Sequence, residues 1–339
     1  MDRAPCDDDM RIFFCKKLVY FKKGIYFCGV VHEYNTKTNH IKTIIMRKVF
    51  ITLAVAAATF SANAQLLWKV TAPGSEKASY IVGTHHVAPA GMIDSVAGLR
   101  DAIAGVDKVY GEVEMADLNT PELQQKMMAV MMAPADSMLN VVLTKQEYDS
   151  VGAIITKYLN GMATIDQMAM LKPAAISTQI AMLQNMQAMP GFNPAQQFDT
   201  SIQALAKTLG KTTGGFETIE FQTNLLYGSP ISEQAKDLMK TVRMDDKAIE
   251  MTHKLSDAYM KGDLEGLAQI MLDPELGMDD ESAHKLIYER NANWVEELKK
   301  ITPSTSVLVA VGAGHLPGEK GVISMLKKEG FTVVPVNDK

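Results

Sequence analysis

The chain has 339 residues, 47% of them hydrophobic and 22% charged, which is enough to bury a large core and excludes a disordered or low-complexity protein. Its formal net charge is −5, and an acidic surface does not attract nucleic acid. The three cysteines, Cys6, Cys15 and Cys28, lie close to the N-terminus, so the remainder of the chain has no disulfide, no thiolate metal ligand and no cysteine nucleophile.

Met46-Arg47-Lys48, the apolar run "VFITLAVAAATF" and Ala62-Asn63-Ala64 follow the charged, apolar and small-residue order of a secretory signal peptide spanning 46–64, with cleavage expected before Gln65. The apolar run is short of the roughly 20 residues of a spanning helix. No stable membrane span is expected after cleavage, and the destination is periplasmic or secreted. Residues 1–45 precede this signal and are expected to be an extension upstream of the true start. The leader through Ala64 carries 10 of the 34 basic and 5 of the 39 acidic residues, leaving 24 basic and 34 acidic, a formal charge of −10.

Beyond Gln65, "ASYIVG" and "GVDKVYGEVEM" are short β-branched runs bounded by glycine and read as buried strands. Helices come next. Thr120-Pro121 opens "PELQQKMMAVMMA" with proline at the first helical position, and Thr144 with Glu147 forms a capping box ahead of Tyr148, Val151, Ile155 and Tyr158 at helical spacing. More helix is expected through "AMLKPAAISTQIAMLQNMQAM", "SEQAKDLMKTVR" and "SAHKLIYERNANWVEELKK". Within this middle, "KTLGKTTGGFETIEFQ" predicts a helix stop at Gly210, a short strand near 212–217 and a further helix. "SVLVAVGAGH" and "FTVVPV" return to strand near the C-terminus.

The two ends repeat one design, in which a strand runs into Gly-x-x-His and a Pro- and Gly-containing segment leads to a helix and another strand. The expected fold class is therefore α/β (α+β). A central mixed sheet is built from the half-units at 65–117 and 303–339, and a large, mostly helical insertion at 118–302 caps it, so that 65–339 form one domain. Both Gly-x-x-His turns should then lie on the rim where α/β sheets bind ligands.

Only five histidines follow the leader: His85, His86, His253, His284 and His315. Three of them are in the two turns. A glycine after a strand permits a tight or positive-φ turn, and the histidine three residues on can face the cleft. Two such turns can supply two neutral nitrogens to one ion. Glu112, at the end of "KVYGE", is the best-placed carboxylate, with Glu114 on the same face. His253 and His284 fall in polar helical contexts and read as surface residues. There is no Gly-x-Ser-x-Gly elbow, no His-Glu-x-x-His helix and no phosphate-cradling loop. The methionines, among them Met127, Met128, Met131 and Met132, read as flexible core filler or as an adaptable apolar groove.

"IVGTHHVAP", "VYGEVEM", "GKTTGGFETIEFQ", "YERNANWVEEL" and "VAVGAGHLPGEKGVISMLKKEGFTVVPV", in that order over about Leu66 to Val336, resemble the TraB/GumN family, relatives of the Tiki metalloproteases. The resemblance implies a fold shared with erythromycin esterase and the haem-binding protein ChaN. It also implies a metal-dependent set of His86, His315 and Glu112. His85 stands where the family usually has an apolar residue, so either histidine of the pair can be the ligand, with spacing favouring His86. Arg290 with Asn291, and Glu217 with Gln222, match further family motifs. The implied activity is hydrolysis of peptide bonds in a peptide or protein substrate. A divalent ion (Zn, Mn or Co) would activate water, Glu112 would serve as ligand or general base, Glu217 as an alternative base and Arg290 as an oxyanion stabiliser. Two other classes stay open: a periplasmic protein holding haem or another ligand without turnover, and a degenerate enzyme whose helical cap binds a partner protein.

Overall fold

The computed structural model describes residues 65–336 except 116–119, 190, 194–195 and 276. The signal-like segment 46–64 and the preceding extension lie outside the described residues. Among the described residues, no helix is long and apolar enough to cross a membrane.

A six-stranded mixed sheet forms the centre, with strands β1 (Leu67–Thr71), β2 (Ala78–Thr84), β3 (Lys108–Gly111), β4 (Thr212–Gly215), β5 (Val307–Gly312) and β6 (Thr332–Pro335) in the order β4-β3-β5-β2-β1-β6. β5 is parallel to both β2 and β3, and β4 is parallel to β3, while β1 runs antiparallel to β2 and β6. Thr84 is paired with Gly312, so the two Gly-x-x-His turns leave the sheet side by side. The strand β1, LWKVT, is not among the strands expected from the sequence. It is half-buried, with Leu67 and Val70 inward, and it has none of the long β-branched run that marks β5.

Among the described residues, the helices of seven or more residues are α1 (Leu99–Gly105), α2 (Pro121–Met131), α3 (Lys145–Leu159), α4 (Pro173–Ala188), α5 (Phe198–Thr208), α6 (Ile219–Tyr227), α7 (Ile231–Arg243), α8 (Asp245–Met260), α9 (Leu264–Met271), α10 (Glu289–Ile301) and α11 (Val322–Lys328). Local chemistry sets several starts. Thr120 accepts from the Leu123 N–H ahead of Pro121, Thr218 caps α6, and Thr144 with Glu147 closes the capping box of α3.

Apolar burial divides into two cores. One joins the sheet to α1, α5, α10 and α11 through residues such as Leu67, Ile81, Ile103, Phe198, Trp294, Leu308 and Leu326. The other lies within the helical region, where Val151 and Ile155 of α3 meet Ile176 and Ile180 of α4 and Leu238 of α7. The second core also holds polar groups. Asp245 is buried and bonded to Lys157, Tyr158 and Gln184, so its charge is paired and its lone pairs are used.

Candidate functional site

The site occupies the carboxyl ends of β2, β3 and β5. Neither Gly83 nor Gly312 has a positive φ, so the turns need glycine for space. A Cβ on Gly83 would stand 3.0 Å from Leu316 Cδ1 and 3.1 Å from the Ala313 backbone, and one on Gly312 would stand 3.3 Å from Glu112 Oε1. Each glycine lets one turn pack against its neighbour. The Gly312 N–H uses that approach to donate to Glu112 Oε1 at 2.8 Å.

Glu112 is the first residue past β3, and the chain just beyond β4 runs on alongside it, because the Glu217 N–H donates to the Glu112 carbonyl. Two carboxylates from adjacent strand ends thus share one neighbour, Arg290 of α10. Arg290 Nη2 donates to Glu112 Oε2 at 2.5 Å and to Glu217 Oε2 at 2.9 Å, and Nε donates to Glu217 Oε1 at 2.8 Å. Gln222 Nε2 donates to both carboxylates, and Trp294 Nε1 donates to Glu217 Oε1. The three charged side chains are each about nine-tenths buried. Trp294 lies under the guanidinium at 4.9 Å and against the His315 ring at 4.5 Å.

A five-residue π-helical turn, His284–Tyr288, immediately precedes α10, the kind of local irregularity that recurs at functional sites. After it, the consecutive residues Arg290 and Asn291 both reach His315. Asn291 Nδ2 donates to the carbonyls of His315 and Lys320, which leaves its Oδ1 to accept from His315 Nδ1 at 2.7 Å. The proton is therefore on Nδ1, and the Nε2 lone pair faces Arg290 Nη1 at 3.2 Å. Burial holds the His315 pKa down at about 4. Burial also pushes Glu112 up, but His315, His86, Arg290 and the Gly312 N–H together outweigh it and hold the carboxyl at about 2.

The first turn is arranged differently. His86 has its side chain 66% exposed, with Nδ1 3.7 Å from Asp199 Oδ2 on α5. Asp199 is buried, Thr84 Oγ1 donates to its Oδ1, and its Oδ2 has no hydrogen-bond partner. Contact with the Asp199 side chain, and then its charge, raises the His86 pKa to about 9. His85 turns away, with its ring against Tyr259 and its Nδ1 accepting from the Val87 N–H. Its pKa is held at about 4, first by burial and then by the His86 charge.

His86, Glu112 and Asp199 line one cavity of about 190 Å³, together with Gln203, Gln222 and an apolar wall that includes Val113, Met127, Ile219 and Leu226. Arg290, Glu217, His315 and His85 are not among its lining residues. The structure thus joins Glu112, Glu217 and His315 through Arg290, leaves His86 on the cavity wall beside Asp199 and places His85 apart. Glu114 pairs with Lys207 of α5, and His253 and His284 are exposed. Asp199, Gln203 and Trp294 are site residues that sequence reasoning missed. Asp199 and Gln203 are one helical turn apart, a spacing that marks one face of α5 but belongs to no motif.

The side chains able to ligate an ion here are His85, His86, Glu112, Asp199, Glu217 and His315. Among the described residues, no three His, Asp or Glu side chains are grouped to hold a metal. Glu112 Oε1 and His315 Nε2 are 3.9 Å apart, but the Nε2 lone pair and the second oxygen of Glu112 are both engaged by Arg290. The implied set of His86, His315 and Glu112 does not fit a divalent ion in this arrangement. Comparison with known proteins returns no curated protein and no solved structure that matches the chain. The profile of the TraB/PrgY/gumN family matches residues 66–335, a span that includes both turns, the paired carboxylates and Arg290, and the chain belongs to that family.

Proposed function

We propose that the chain is an exported hydrolase of the TraB/GumN kind that acts on peptide bonds, with the reaction carried out in the cavity at the ends of β2 and β3. The observation that carries this reading is the meeting of His86, Asp199 and Glu112 on one small cavity whose remaining wall is largely apolar. Export rests on the signal-like segment 46–64.

The roles follow from how fully each group is already bonded. Glu112 accepts from Gly312, Gln222 and Arg290, so it is a weak base and a fixed negative wall. Asp199 Oδ2 is buried with no hydrogen-bond partner, His86 Nδ1 standing 3.7 Å away, and can take a proton from water. His86, charged beside it, can give a proton to the leaving amine. The apolar wall accommodates a substrate side chain, and Met127 can adapt to its shape. The test is cleavage of a quenched-fluorescent peptide library by the purified chain, with and without added Zn, Mn or Co. Cleavage lost in both His86→Ala and Asp199→Asn supports the reading. A wild-type chain that cleaves nothing under any of these conditions, or variants that cleave normally, would overturn it.

A further inference from the structure

We propose that Arg290 is the resident cation of this site, and that its guanidinium closes the gap between Glu112 and His315 to a divalent ion. His315 is prepared as metal-ligating histidines are: Asn291 accepts from Nδ1, which fixes the tautomer and turns the Nε2 lone pair toward a positive partner. That partner is Arg290 Nη1, at 3.2 Å. An ion at the usual 2.0–2.2 Å from Nε2 would occupy the direction from which Nη1 already approaches.

Charge leads to the same conclusion. Glu112 and Glu217 both face the guanidinium, and its remaining donors are spent on them and on the Leu286 carbonyl. A dication beside Glu112 would sit against a permanent positive charge in a buried setting, where repulsion is weakly screened. Trp294 lies beneath the guanidinium and Gln222 bridges both carboxylates, so the ion pairs are held in place from either side. The family's histidine and carboxylate positions are thus kept, while the cation they surround is part of the chain.

The inference concerns the same site as the proposed hydrolysis but is read by ion uptake, so either can fail alone. The purified full chain is dialysed against Zn, Mn or Co and its bound metal is measured by elemental analysis, alongside Glu112→Gln and His315→Ala. The wild type should hold no ion that these variants lose; an ion retained equally by all three lies elsewhere and supports the proposal. An equivalent of ion present in the wild type and lost in both variants would overturn it. Arg290→Ala leaves two carboxylates and a lone pair around a space. It should gain about one equivalent and rise in Tm by several degrees at a ~100-fold excess of ion over its dissociation constant, and both gains should vanish when Glu112→Gln is added. A folded Arg290→Ala that gains neither would also sink the proposal, and if it does not fold, the wild-type comparison decides.

Discussion

The two sides of the site at the strand ends are built from similar residue types and finished in opposite ways. On the β3 and β5 side, Glu112, Glu217, Arg290 and His315 are buried and engaged with one another, with Gln222, Asn291 and Trp294 completing the set. On the β2 side, Asp199 is equally buried but keeps an oxygen without a hydrogen-bond partner, and His86 stands exposed 3.7 Å from it. A saturated network fixes structure because every change leaves a buried group unpaired. The unsaturated pair leaves bonding capacity for a substrate or water, and on the proposed reading stability belongs to one side and chemistry to the other.

The largest expected effect tests the saturated side. Arg290→Ala strands two buried carboxylates and should destabilise the fold by about 3–5 kcal/mol in denaturant unfolding without added metal; a loss under about 1 kcal/mol, typical of exposed ion pairs, would remove the contrast. Asn291→Ala frees His315 Nδ1 and the carbonyls of His315 and Lys320, and should cost about 1–3 kcal/mol in the same measurement. Asp199→Asn, on the other side, should change stability by about 1 kcal/mol or less, because its amide nitrogen can face His86 without stranding a second group. It should still remove peptide cleavage. A large loss of stability would make Asp199 part of the frame.

Acid sharpens the comparison further. The folded pKa of Glu112 lies below its ordinary value of 4.5, at about 2, so its contribution to stability is complete above about pH 4.5 and is lost as pH falls toward 2. Unfolding measured across that interval should be steeper in the wild type than in Glu112→Gln. His86 carries the smallest expected change. Its raised pKa depends chiefly on Asp199, so in Asp199→Asn its NMR titration should move back toward 6.5 while the fold is unaltered.

Much of the frame could be read from the chain alone, because it rests on local rules. Glycine-bounded β-branched runs gave β2, β3 and β5; the capping residues Thr120 and Thr144 set α2 and α3; and the paired Gly-x-x-His turns placed two strand ends on one rim, as the register of Thr84 with Gly312 shows. The direction of each side chain was not legible. Nothing local says that His315 turns inward to Asn291, or that Arg290 fills the space beside it, since these residues meet across two separate elements and no spacing rule links them. Asp199 was missed because its partners, Thr84 and His86, lie in another element of the chain and no spacing links them. β1 was missed because its burial comes from β2 and β6 on either side, not from its own composition.

The placement of β5 also governs how the chain can acquire its structure. It is the strand between β2 and β3, yet it is supplied by residues 307–312, after the whole helical region. β2 and β3 have no neighbour between them until nearly all of the chain is available, and the outer edge of β1 likewise waits for β6. Pairings this distant in sequence close slowly. A chain delivered N-terminus first across a membrane would emerge with its sheet edges exposed, and the helical core, whose contacts are more local, would be free to form before the rim exists at all.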